Sequence, residues 1–202
     1  NLDIPGIQQA VSESQAKILF ITNPNNPSGN RISENDLAVL LGLPLLIVLD
    51  EAYIEFTGDT ACEWRQNSLF QAIQDCENLI VLRTFSKWAG LAGLRVGYGA
   101  FPSWLMPTLW AAKQPYNLNV AANAAALASL NSLSELEMNV KKLREERERL
   151  FAKLGQIDYL EPVPSEANFI LCKVINRDAY DLKERLKTVG IFVRYYDSNL
   201  LN

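Results

Sequence analysis

Histidine is absent from this 202-residue chain. Its absence removes Ser-His-Asp triads, histidine-activated thiols and the usual zinc ligand sets. Proton transfer is left to Lys, Tyr, Cys or carboxylates. Cysteine is scarce: Cys62, Cys76 and Cys172 are an odd set without metal-ligand spacing. They build no disulfide framework and fit a reducing compartment. No apolar run approaches the length of a membrane span. Neither sign of charge dominates, with 19 basic against 23 acidic residues and a net charge of −4. No basic stripe suggests nucleic acid or an anionic membrane as a partner. The phosphate-binding Gly-x4-Gly-Lys run is missing too. Asn1-Leu2-Asp3-Ile4-Pro5 has neither a secretory pattern nor an initiator Met, so the chain reads as entered partway along a longer one. A cytoplasmic location is expected.

What is present is an α/β pattern. Hydrophobic residues make up 49% of the chain, enough for a sizeable core. Strands are expected over 17–22, 45–49, 79–83 and 95–101, from their short apolar, β-branched runs. The run 45–49 is continuously apolar, as in a strand buried on both faces. Ser33 reads as the N-cap of a helix to about Leu41, and residues 68–75 also look helical. This alternation implies a largely parallel sheet. The pattern changes after about residue 115. Residues 119–131 are Ala-rich and helical. Residues 134–154 form a long charged helix with an apolar stripe at Leu136, Val140, Leu143, Leu150 and Leu154. Its charged run reads as a solvated outer face. Beyond Gly155 the expectation is strand 168–174, helix 177–189 and strand 191–195. The division expected is 1–115 for one large domain's half and 116–202 for long helices leading into a small α+β domain.

Each early strand ends in a polar cluster, and open α/β sheets bind ligands beyond the carboxyl ends of their strands. The clusters are Asn23-Pro24-Asn25-Asn26-Pro27-Ser28-Gly29, Asp50-Glu51-Ala52-Tyr53 and Thr84-Phe85-Ser86-Lys87. Asp50 follows five apolar residues. A carboxylate near buried surface needs a cation or good hydrogen bonds, though Asp50 reads equally as a turn cap. Lys87 sits among apolar and hydroxyl residues; it either extends to solvent or, partly buried, attacks carbonyls. Arg95 follows eight residues later. Its planar fork suits phosphate oxygens, or an ordinary surface ion pair. Asn26 can offer an amide donor from a loop that could equally be a rigid connector. Thr84 and Ser86 are hydroxyl donors, or plain turn residues.

Taken together, Asn26-Pro27-Ser28-Gly29, Asp50-Glu51-Ala52-Tyr53, Ser86-Lys87 and Arg95 resemble, in that order, the fold type I pyridoxal-phosphate (PLP) aminotransferases. Within them the chain looks most like the histidinol-phosphate aminotransferases. The supporting stretches are 23–29, 50–56, 84–98, Lys113-Gln114-Pro115-Tyr116-Asn117 and Ser165-Glu166-Ala167-Asn168-Phe169. Ser28 departs from the family's usual Thr, a small hydroxylated substitute. The resemblance implies part of a PLP-transferase large domain, a mostly parallel sheet with helices on both faces, plus a small α+β C-terminal domain. It implies that Lys87 carries PLP as a Schiff base and moves the proton between Cα and C4′. Asp50 would pair with the pyridinium nitrogen, and Tyr53 and Asn26 with the ring's phenolic oxygen. Arg95, Ser86 and Thr84 would hold the phosphate. The implied reaction passes an amino group between L-histidinol phosphate and 2-oxoglutarate, in a homodimer, with no metal.

Members of that family extend further at both ends. The resemblance implies that the N-terminal part supplies a ring-stacking aromatic, phosphate donors and a tyrosine reaching across the dimer. A substrate-gripping arginine is implied just past Asn199-Leu200-Leu201-Asn202. A related PLP enzyme, such as a threonine-phosphate decarboxylase or an aromatic aminotransferase, would share the same cofactor residues. A non-catalytic remnant is a reading of another class, to be separated by the flanking coding sequence.

Overall fold

The computed structural model describes residues 2–58 and 63–198. Cys62 and the closing run Asn199–Asn202 lie outside the described residues. The chain begins with helix α1 (Ile4–Ser14), then strand β1 (Ile18–Thr22), helix α2 (Glu34–Leu41) and strand β2 (Leu46–Asp50). Short helix α3 (Glu63–Asn67), strand β3 (Leu79–Thr84) and strand β4 (Gly97–Ala100) follow. Helices α4 (Met106–Ala112), α5 (Val120–Asn131) and α6 (Leu133–Leu154) come next. The last elements are strands β5 (Leu160–Pro162) and β6 (Cys172–Val174) and helix α7 (Ala179–Thr188).

The main sheet has the order β1-β2-β3-β4, parallel except for β4, which runs antiparallel to β3. One face packs its alternate residues Ile21, Ile47, Leu49, Leu79 and Val81 against Leu37 and Leu40 of α2 and Ile4, Ile7 and Val11 of α1. Those α1 residues recur at helical spacing, so eleven residues present a single apolar stripe. α5 covers Phe85 and Val96 with Ala122 and Ala126. On β1, Phe20 is 73% exposed. β5 and β6 form a separate antiparallel pair beyond α6.

The helix starts follow ordinary capping chemistry. Ser33 Oγ accepts from Asp36 N at 3.1 Å, Asn119 Oδ1 from Ala122 N at 2.8 Å, and Asp178 Oδ1 from Asp181 N at 2.9 Å. α1 was not anticipated from the sequence. Its Pro5 sits in the first turn, where a missing N–H is harmless, and Asp3 caps it.

Four sequence expectations need correction. Residues 68–75 hold only a 3-10 turn at Gln71–Gln74. Ser68 Oγ and Leu69 N both donate to the buried Glu51 carboxylate, at 2.5 and 2.7 Å, which holds this stretch away from helical geometry. The strand expected over 168–174 shrinks to Cys172–Val174, because 165–169 packs against α6 and the loop after β1. Residues 191–195 form no strand, since no neighbouring strand pairs with them among the described residues. The packed face of α6 keeps Leu136, Val140 and Leu154 of the expected stripe but not Leu143 and Leu150. Leu143 and Leu150 are each 47% exposed, while Val140 is buried and Arg144, Arg147 and Phe151 are half-buried. Arginine stems therefore complete a stripe that a search for leucines misplaces.

Candidate active site

Sheet register brings the three polar clusters together. Thr22 at the end of β1 lies opposite Asp50 at the end of β2, and Asp50 lies opposite Leu82, two residues before the end of β3. β4 reverses direction, so its first residue, Gly97, pairs with Thr84. Arg95 is thereby returned to the end of the sheet that carries Asp50 and Lys87. A parallel β4 would have put it at the opposite end.

The loop after β1 is held by its own side chains. Asn23 is 2% exposed, and its Oδ1 accepts from Ile32 N at 3.0 Å. Asn25 Nδ2 donates to Thr22 Oγ1 at 3.0 Å, and Asn25 Oδ1 accepts from Ser28 Oγ at 2.9 Å. Asn30 Oδ1 also faces the Ser28 hydroxyl, competing for its one proton. This network leaves Asn26 exposed, with its Nδ2 donating to Tyr53 Oη at 3.0 Å. The Tyr53 ring is buried, and Lys87 Nζ stands 5.2 Å from its centroid.

Lys87 itself is exposed rather than partly buried, and its side chain makes no hydrogen bond or ion pair among the described residues. Asp50 is half-buried. Its Oδ1 accepts from Ala52 N at 2.9 Å, so the turn-cap reading is realised, yet no cation pairs with the carboxylate among the described residues. Thr84 Oγ1 donates to Ser86 Oγ at 2.8 Å and accepts from Ser86 N at 3.0 Å. Arg95 sits in the left-handed region at φ 56°, and Nη1 donates to Ala92 O at 3.0 Å. No carboxylate pairs with its guanidinium among the described residues. One end of the sheet thus carries an amine, a carboxylate and a guanidinium, none of them in an ion pair among the described residues. A phenol-amide pair and a hydroxyl pair lie beside them.

Gly29 closes the loop at φ 76°, against Ser165. A Cβ there would run into Ser165 Oγ and come within 3.1 Å of the Ser165 Cα. Gly29→Ala is therefore expected to destabilise the fold by about 1–3 kcal/mol, from backbone strain and overpacking together. Urea unfolding of the two proteins side by side measures it.

A second charged group was not anticipated. Glu51, Glu55 and Arg83 are 0%, 4% and 6% exposed. Arg83 pairs with Glu55 and lies 3.7 Å from Glu51, with the Trp64 ring 4.8 Å away. Burial raises both carboxyls above the usual 4.5, against the pull of Arg83 and, at Glu51, of Ser68 and Leu69. The sequence signal was a charge inside each apolar run, Tyr-Ile-Glu-Phe and Leu-Ile-Val-Leu-Arg. A cavity of about 490 Å³ adjoins this group, walled by Glu55, Trp64, Arg83, Trp88, Tyr98 and Val140. It includes none of the residues at the strand ends just described, so the chemistry and the enclosed space do not coincide.

Asp50, Lys87 and Arg95 thus gather at one end of a sheet that is parallel except for its last strand. Residues 1–198 match the family model for aminotransferase class I and II, and the chain belongs to that family. The chloroplastic histidinol-phosphate aminotransferase of Nicotiana plumbaginifolia is 50% identical over 204 residues, covering 100% of this chain and 47% of the relative. The chain thus spans about half the length of that relative. The histidinol-phosphate aminotransferase of Clostridium acetobutylicum superposes with TM-score 0.84 at 28% identity, over 96% of this chain and 57% of that one. The Sinorhizobium meliloti enzyme, solved in complex with pyridoxal-5'-phosphate, gives TM-score 0.78 at 31% identity, over 98% and 54%. Among the described residues, no helix is long and apolar enough to cross a membrane.

Proposed function

We propose that this chain is the PLP-binding part of an aminotransferase that passes an amino group between L-histidinol phosphate and 2-oxoglutarate. The observation that carries the reading is the set of charges left open at one end of the sheet. PLP presents an aldehyde, a protonatable ring nitrogen, a phenolic oxygen and a phosphate. The amine of Lys87, the carboxylate of Asp50, the Asn26–Tyr53 pair and Arg95 with Thr84 and Ser86 offer one matching partner for each. When bound, the cofactor supplies an electron-withdrawing ring that stabilises negative charge at the substrate's Cα.

The residues then have distinct tasks. Asp50 keeps a proton on the ring nitrogen, with Ala52 N–H fixing one of its oxygens. Tyr53 and Asn26 stabilise the phenolic oxygen as an anion. Arg95 grips the phosphate through charge-assisted bonds, and Ser86 and Thr84 orient it. Lys87 would hold the cofactor at its aldehyde carbon, and its amine would carry the proton to and from the substrate's Cα.

The choice of substrate follows the names of the relatives. The homodimer and the cytoplasmic location are part of the same proposal, the first because the resemblance implies active sites shared between two subunits. The reading also divides the chain near residue 115, ahead of α5 and α6. Borohydride reduction of the PLP-loaded protein, followed by peptide mapping, tests the proposal. The expected result is a pyridoxyl adduct on Lys87. An adduct elsewhere, or none, refutes it.

A further inference from the structure

The segment Ser165–Phe169 lies far along the chain from the strand ends, yet it touches two of them. Glu166 N donates to Gly29 O at 2.7 Å, and Gly29 packs directly on Ser165. At its other end, the Phe169 ring meets the Tyr53 ring edge-on, centroids 5.2 Å apart at 88°. The middle of the segment is fixed as well. Ala167 is fully buried, and Arg147 of α6 donates from Nη1 to Ala167 O at 3.0 Å and to Phe56 O at 3.3 Å. That one guanidinium therefore ties the segment to the chain just past Tyr53. Ser165 Oγ accepts from Ala167 N at 3.1 Å, which sets the bend between the two contacts.

The two side chains backed by this segment are the two that meet each other. Asn26, three residues before Gly29, donates to the hydroxyl of Tyr53. In the reading above, both serve one atom of the cofactor, its phenolic oxygen. We infer that Ser165–Phe169 is a positioning strap for that pair, and that Phe169 sets the orientation of the Tyr53 phenol. Phe169 touches the ring of Tyr53 and acts through it. The inference rests on PLP binding at Lys87.

The strap predicts a spectroscopic effect. A well-aimed Tyr53 hydroxyl favours the anionic phenolic oxygen, and so keeps low the pH at which the bound cofactor's visible band changes. Loosening the ring weakens that bond and raises the midpoint. In the full-length, PLP-loaded protein, Phe169→Leu and Phe169→Met keep apolar volume and remove the ring edge. Each is expected to raise the midpoint by about half a unit. Phe169→Tyr keeps the edge and should leave it unchanged. A double-mutant cycle gives the decisive reading: against Tyr53→Phe, the Phe169 variants should add no further shift.

A folded, PLP-binding Leu or Met variant with an unmoved midpoint overturns the inference. So does a shift that persists in full against Tyr53→Phe, because Phe169 would then act by another route. Two replacements guard against one failing to fold. Failure of the parent reading looks different: the unsubstituted protein would show no visible band and no reducible adduct on Lys87.

Discussion

Lys87→Ala is expected to lower amino-transfer turnover by about 10³-fold or more, with little change in folding stability. The two halves of this expectation come from the same geometry. Lys87 is exposed, and its one described side-chain interaction is its approach to the Tyr53 ring. Its removal therefore leaves no cavity and no unpaired buried charge. No histidine exists anywhere in the chain to take over proton transfer at Cα. The variant should still take up PLP through Asp50, Arg95 and the hydroxyl pair, but borohydride should no longer fix it to the protein. Single-turnover kinetics and the melting temperature, measured on the same preparations, provide the check. Wild-type turnover in the variant would show that another amine does the work.

Arg83→Met should have the opposite signature, a large loss of stability that depends on pH. One guanidinium lies between two buried carboxylates, and removing it strips Glu55 of its cation and leaves Glu51 only the weaker pull of Arg31. Breaking a buried pair in this way costs about 3–5 kcal/mol near neutral pH. The pH trend follows from proton linkage. Burial raises both carboxyls above 4.5, so the folded chain binds protons more readily than the unfolded one. Such groups contribute fully below the unfolded value, and their contribution is lost as pH rises through the folded values. Arg83 holds that rise in check. Without it the folded values climb further, so the loss extends to higher pH. The deficit of the variant should therefore be smallest near about pH 5 and grow toward neutrality. Urea titrations at the two pH values test this, and a deficit that does not change with pH would contradict it.

Lys87 belongs to the part of the site that is legible in the sequence, and Arg83 to the part that is not. The strand ends were legible because each apolar run stops abruptly at polar residues, and parallel pairing then requires those residues to share one end of the sheet. Thr22, Asp50 and Thr84 needed nothing more than that rule. The Glu51–Glu55–Arg83 group leaves only a faint trace, a charge in each of two apolar runs, and its members gain meaning as a group only when β3 lies beside the turn after β2. Ser68 and Leu69 are a milder case. Their local pattern is helical, but a carboxylate 17 residues earlier captures Ser68 Oγ. The packed face of α6 is only partly legible for a related reason. Val140, Arg144, Arg147 and Phe151 form a stripe only if arginine stems count as apolar surface. Phe169 belonged to a recognisable stretch, but its contact with Tyr53 spans most of the chain and leaves no local trace.

The reversal at β4 has a mechanical corollary. Phe85 N donates to Val96 O at 3.2 Å, pinching shut the excursion that carries both Lys87 and Arg95. Lys87 and Arg95 thus belong to a single loop tethered at its base. Twisting or sliding of the strands would carry both groups along together, like two teeth on one comb.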